Sequence, residues 1–156
     1  MTKKLLLLLL LWTIFLLAKS TRTIPLSSLF QTDLLVKEKI FQVWLAIDPK
    51  QKNEGLSLLL ADEVASTQGM LFLYPYEEKL SFWMKNTYFD LDIAYIKSSG
   101  EVVDIATMKR MSKEEFSSSK KVKYVLELKA GSFEKVGLKV GDRINISKEL
   151  KEFSNP

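Results

Sequence analysis

Lys39-Ile40-Phe41-Gln42-Val43-Trp44-Leu45-Ala46-Ile47, followed at once by Asp48-Pro49, is the stretch that decides the fold. Phe41, Val43, Leu45 and Ile47 occupy one side of a period-two pattern in a run rich in aromatic and β-branched residues, which predicts a strand. Asp48 then offers an N-cap carboxylate and Pro49 fills the first helical position. A helix is therefore predicted through Lys52 toward Leu59, weakened by Gly55, with Leu56, Leu59 and Leu60 on its buried side.

Working toward the C-terminus, strands outnumber helices. Asp62–Gln68 reads as a polar connection. Gly69–Tyr74 reads as a short buried strand stopped at Pro75, its glycine marking a bend or a close backbone approach. After a turn at Tyr76–Lys79, Leu80–Thr87 returns with Phe82, Met84 and Asn86 on one face and Trp83, Lys85 and Thr87 on the other. Asp90–Ile96, with Leu91, Ile93 and Tyr95 facing one way and Asp90, Asp92, Ala94 and Ile96 the other, forms a hairpin with Glu101–Ala106 about Ser98-Ser99-Gly100. Thr107–Lys121, charged and serine-rich, reads as a long mobile loop. Val122–Leu128 is a further strand, with Tyr124, Leu126 and Leu128 set against Lys123, Val125 and Glu127. Ser132 can cap a short helix that Gly137 ends, and Arg143–Ile146 is the last strand. The expected fold is mainly β (α+β): a compact barrel or sandwich-like domain of about six or seven short strands with one or two small covering helices.

Toward the N-terminus, Thr21–Asp33 contains Pro25 and no period, and reads as a linker or loosely docked arm. Residues 1–20 have the form of an export signal: Lys3 and Lys4, an apolar run from Leu5 to Ala18, and small residues Ala18 and Ser20 at the cleavage positions. The run is shorter than the ~20 residues that span a bilayer. An uncleaved anchor, with Trp12 and the lysines near the interfaces, is the alternative. The organisation expected is a signal or anchor (1–20), a linker (21–33), one globular domain (34–148) and a polar tail (149–156), in the periplasm or cell envelope.

Composition narrows the chemistry. The chain has 156 residues, 47% of them apolar, enough for one packed domain. Lys3, Lys4 and Lys19 account for three of its 23 basic residues, so from residue 21 onward twenty basic residues face 19 acidic ones. That near-balance gives no field for a phosphate backbone, and nucleic acid is set aside as a partner. No cysteine or histidine is present, which removes disulfides, thiolate nucleophiles, Cys/His zinc sites and imidazole bases. Asp90-x-Asp92 lacks a third oxygen ligand, because Ala94 stands where one is needed, and calcium is not expected. No cofactor or metal is expected.

Trp83, Lys85, Asn86, Asp92 and Glu127 form the candidate ligand-binding set. They place an amide, an ammonium and carboxyl groups in apolar strand sequence, where unpaired polar groups are costly to bury. An aromatic face with directed polar groups suits a sugar or another small polar ring. The bland alternative makes Lys85 and Glu127 a cross-strand pair and Asn86 and Thr87 turn residues. Asp92 with Glu127 or Asp104 supplies the residue types for a carboxylate-dependent carbohydrate hydrolase in the envelope, for which the separation would decide. A third reading is an envelope protein-interaction domain that uses an exposed strand edge.

The segments GLSLLLADEV, GMLFLY, FWMKNT, LDIAYIKSSGEVVDI and YVLELKAG with GLKVGD resemble, in order, the domain of unknown function 192 family, also called uncharacterised protein family 0127. The resemblance covers roughly Ala46 to Ile144. It implies a small mixed β domain, often exported behind a signal sequence, and no activity. Family members usually carry methionine and arginine after the Gly-Leu of the first segment, where this chain has Ser57 and leucines. The proline common before LDI is replaced by Phe89-Asp90.

Overall fold

A computed structural model describes residues 22–154. The export signal or anchor expected over residues 1–20 lies outside the described residues. Six strands form one mixed sheet in the order β1 (Gln31–Val36), β2 (Lys39–Ala46), β3 (Gln68–Glu78), β8 (Val122–Lys129), β5 (Leu91–Ile96), β6 (Val102–Met108). β4 (Ser81–Phe82) and β7 (Phe116–Ser117) pair as a small second sheet. Three short helices complete the domain: α1 (Pro49–Glu54), α2 (Ser132–Val136) and α3 (Lys148–Phe153). The main sheet keeps two edges, β1 and β6, so the fold is mainly β and sandwich-like, not a closed barrel.

Neighbouring strands are antiparallel except β2 and β3, which run parallel. A parallel pair needs a crossover, and the Asp48-Pro49 signal supplies it. The Asp48 carboxylate accepts the Gln51 amide at 2.9 Å, while the Gln51 side chain accepts the Asp48 amide at 3.2 Å, a reciprocal capping box. The helix ends at Gly55, well short of Leu59, because Gly55 adopts φ +51° and ψ −131°. That conformation suits only glycine.

Both faces of the sheet are buried. Trp44, Met70, Phe72, Ile93 and Val125 point to one face, where they meet Leu56, Leu59, Val64 and Met84. Phe41, Val43, Leu45, Leu71, Leu126 and Leu128 point to the other, covered by Phe133 of α2, Leu138, Ile144, Ile146 and Leu150 of α3. Strand polarity patterns consequently mark faces without marking solvent.

Several boundaries differ from expectation. β1 begins at Gln31, inside the segment read as a linker, and pairs with β2 about a turn in which Lys37 takes φ +57°. The arm before it is docked: Leu29 is buried, and Ile24 and Leu26 pack on the first core. β3 runs on past Pro75 to Glu78, with a break in register after Leu73. Only Ser81 and Phe82 of Leu80–Thr87 are strand; the rest turns, with the Thr87 amide donating to the Met84 carbonyl at 3.1 Å. Thr107–Lys121 is strapped down: Ser118 donates to the Leu80 carbonyl at 2.8 Å, and Asp104 accepts the Ser119 amide at 2.7 Å. Arg143–Ile146 contributes a single bridge, Glu101 to Arg143, in place of a strand. The tail from Lys148 is helical to Phe153, capped by Ser147 and anchored by buried Leu150.

Candidate functional site

On the first face, a cavity of about 280 Å³ opens between the end of α1, β3, the segment Ser81–Thr87 and β8. Glu127 of β8 is among its lining residues. The register sets it directly across from Met70 of β3 and Ile93 of β5, so apolar side chains flank it on both strands. It is 4% exposed; no described residue hydrogen-bonds its carboxyl, and because no enclosed side-chain polar atom among the described residues lacks a partner, the carboxyl oxygens reach the open cavity. Burial pushes that carboxyl from 4.5 up to about 8, because a low-dielectric surrounding penalises the charged form. At neutral pH Glu127 is therefore a carboxylic acid, offering one donor and one acceptor. Gly69 permits this closeness, since a Cβ there would collide with the backbone oxygen of Glu127.

Aromatic rings form the neighbouring wall. Phe72 and Phe82 meet edge to face at 4.9 Å, and Phe82 and Tyr95 at 6.1 Å. The Tyr95 hydroxyl donates to the Phe116 carbonyl, tying this wall to β7. Burial, and then the nearby Glu127 and Asp104, raise the Tyr95 phenol well above its ordinary range. Tyr74 rises to about 12, first through burial and then through Glu78 and Glu127. Both tyrosines are neutral hydroxyl groups at physiological pH.

Two ammonium groups stand at the mouth. Lys52 Nζ lies 4.4 Å from the centre of the Tyr74 ring, and Lys85 Nζ lies 5.6 Å from that of Trp83, both within cation–π range. Burial lowers the Lys52 pKa, with Glu78 and Asp48 opposing that shift. Neither lysine forms an ion pair among the described residues. Trp83 is 53% exposed at this rim.

The docked arm braces the α1 side. Arg22 Nη1 donates to the carbonyls of Gly55 at 2.9 Å and Ser57 at 2.7 Å, and its Nη2 lies 3.5 Å from Glu54 Oε2. Glu54 also accepts the Thr23 amide at 2.7 Å and the Ile24 amide at 2.9 Å. Burial works against the Glu54 carboxylate, but these amides and the guanidinium outweigh it and hold the group below its ordinary pKa. A Cβ on Gly55 would sit 3.3 Å from the Phe72 ring, so glycine also leaves room for the wall.

Of the candidate residues, the cavity brings together Trp83, Lys85 and Glu127, with Thr87 beside them. Asn86 takes φ +56° and is exposed; its carbonyl accepts the Leu58 amide at 2.8 Å, which makes it a turn residue outside the cavity. Asp92 lies on the opposite face. There it accepts Thr107 Oγ1 at 2.7 Å and the Phe133 amide at 3.0 Å. Because Ile93, not Asp92, is the cross-strand partner of Glu127, those two carboxyls cannot share one cleft as a hydrolytic pair. Asp104, occupied by the Ser119 amide and hydroxyl, does not line the cavity either. A Lys85–Glu127 strand pair does not form, since β8 pairs with β3 and β5. Sequence reasoning missed Lys52, Tyr74 and Arg22. The Asp48-Pro49 helix start placed Lys52 on a helix, but the early stop at Gly55 is what turns that helix end toward the cavity.

Comparisons with known proteins agree with this architecture. The profile of the domain of unknown function 192 family, described as uncharacterized ACR, matches residues 32–146. A solved structure from Sinorhizobium meliloti, provisionally described as a transcription regulator, is 34% identical, with a TM-score of 0.67 over 74% of this chain and 91% of its own. A protein of unknown function from Novosphingobium aromaticivorans is 25% identical, with a TM-score of 0.72 over 83% of this chain and 94% of its own. No curated protein matches. With its profile match running from β1 to the segment before α3, this chain belongs to the domain of unknown function 192 family.

Proposed function

We propose that this domain is a binding module that takes a small polar ligand into the cavity over Glu127. The observation that carries the reading is a carboxyl flanked by apolar residues on both neighbouring strands that opens to a cavity and has no hydrogen-bond partner among the described residues. No enclosed side-chain polar atom among the described residues lacks a partner, so the Glu127 oxygens face the cavity, where water or a ligand pairs them. A ligand oxygen or nitrogen reaching Glu127 would satisfy it. At about 280 Å³ the cavity is small for a drug-sized molecule, which favours a single polar ring. Trp83 and Phe82 offer faces for stacking. Catalysis has less support, because among the described residues no second free carboxyl lines the cavity with Glu127 to act as its base.

The module is exported in this reading, on the strength of the lysine-led apolar run in residues 1–20. Mass analysis of the protein from its host decides between a cleaved chain and one anchored by residues 5–18. The Sinorhizobium description does not carry over, because the charge balance after residue 20 gives nothing to hold a nucleic acid.

Ligand binding is tested by indole fluorescence of the full chain against panels of sugars and small acids. Saturable change that disappears in Trp83→Phe supports the reading; crystals soaked with the same compounds and showing them elsewhere would overturn it. The exposed pair Leu35 and Ile40 beside the free β1 edge favours a second reading, docking of an envelope protein by strand addition. Leu35→Lys would abolish that contact and leave the cavity untouched.

A further inference from the structure

We infer that the cavity selects acidic ligands, a sugar acid or similarly hydroxylated carboxylate, with hydroxyl groups on Glu127 and the carboxylate on Lys52 and Lys85. This rests on the binding reading above and adds the ligand's charge.

Three features of the lining converge. First, Glu127 supplies a donor and an acceptor side by side with no protein partner, a pattern that a ligand hydroxyl or a pair of hydroxyls completes. Second, the other carboxylate in the lining, Glu54, is already engaged by Arg22, Thr23 and Ile24. Third, Lys52 and Lys85 are each held over an aromatic ring and not against a carboxylate. The charge left for a ligand at the mouth is therefore positive, and a cationic ligand would have to pass it.

The titratable groups that line the cavity with Glu127 are Tyr74 of β3, Lys52 and Glu54 of α1, and Lys85 after β4, and Tyr95 of β5 lies close enough to feel the charge of Glu127; Glu78 and Asp104 act on the two tyrosines from outside the lining. Tyr74 and Tyr95 are neutral. Ionisation of Glu127 in alkaline solution turns its donor into a second anion at the floor, and an acidic ligand is expelled.

The experiment titrates the full chain with matched neutral, acidic and amino monosaccharides of the gluco, galacto and manno series, by calorimetry and amide chemical shifts. Two ligand–lysine pairs predict that one uronic acid binds roughly tenfold tighter than its neutral sugar. Lys52→Met with Lys85→Met brings that ratio to about one, with thermal melts confirming the fold. Raising the pH through the Glu127 transition weakens the acid in the native chain, but not in Glu127→Gln. Equal binding of acid and neutral sugar, or preference for the amino sugar, overturns the inference and leaves the binding reading standing. No binding by any sugar overturns both.

Discussion

Asp92 and Glu127 are buried carboxyl groups one residue out of register on adjacent strands, and they are treated in opposite ways. Asp92 is 3% exposed and satisfied by a hydroxyl and an amide; Glu127 is 4% exposed, and its carboxyl opens to the cavity with no partner among the described residues. The first joins β6 and α2 to β5. The second contributes no bond to the fold and is kept neutral by apolar neighbours. Equal burial thus separates a structural carboxyl from a candidate functional one only when their partners are counted.

The largest effect that would break this contrast is a pH effect at Glu127. Its proton leaves near pH 4.5 in the unfolded chain and near pH 8 in the folded one. Between those values the folded state holds the extra proton, so stability falls as pH rises, by about 1.4 kcal/mol per unit. The contribution is fully present below about pH 4.5, and on the order of 5 kcal/mol has gone once pH passes about 8. Urea midpoints across this range should fall for the native chain relative to Glu127→Gln, with the two curves closest at the acidic end. Parallel curves would mean that Glu127 keeps an ordinary carboxyl pKa in the folded state, its oxygens solvated through the cavity.

Asp92→Ala tests the other side. It leaves the buried Phe133 amide without its acceptor, while the hydroxyl of exposed Thr107 can turn to water, and a buried donor without a partner is expensive. A loss of about 3 kcal/mol is expected, with faster hydrogen exchange at Phe133 as α2 loosens. A small loss with unchanged exchange would erase the distinction between the two groups.

How far these roles were legible follows from strand geometry. The alternation in Val122–Leu128 put Glu127 with Val125, and that in Asp90–Ile96 put Asp92 with Ala94; both pairs share a face in the structure. What a single strand cannot reveal is which residue of another strand lies opposite it, and the one-residue offset that pairs Ile93 with Glu127 sends Asp92 to the far core. Nor can a pattern show that both faces are covered, so Lys123 and Glu127 read alike although one is half-buried and the other buried. Trp83 and Lys85 were found because they interrupt apolar sequence. Arg22 was not, since the partners that tie it to the cavity, Glu54, Gly55 and Ser57, lie more than thirty residues away.

Arg22 sets the next prediction. Arg22→Ala removes three bonds to carbonyls, those of Ile24, Gly55 and Ser57, and a part-buried ion pair, a loss of about 2 kcal/mol. Its distinguishing sign is local: proteolysis near residues 22–30 speeds up, and any ligand effect at Glu127 weakens because the Gly55 wall is no longer braced. If the arm resists the protease as before, Glu54 alone holds it, through the Thr23 and Ile24 amides.

Thr107→Val gives the smallest effect and the sharpest comparison. Valine keeps the volume and removes the hydroxyl, so Asp92 loses its 2.7 Å donor while the Phe133 amide stays at 3.0 Å. Asp92 then moves one step toward the condition of Glu127. A net loss of about 1 kcal/mol follows for one hydrogen bond to a buried carboxylate whose other bond remains. If satisfaction is what separates the two groups, Asp92→Asn should cost less in the Thr107→Val background than in the native chain, because the charge lost is then held by fewer donors. Simple additivity of the two changes would show that Thr107 and Asp92 act independently, and that α2 alone gives Asp92 its structural role.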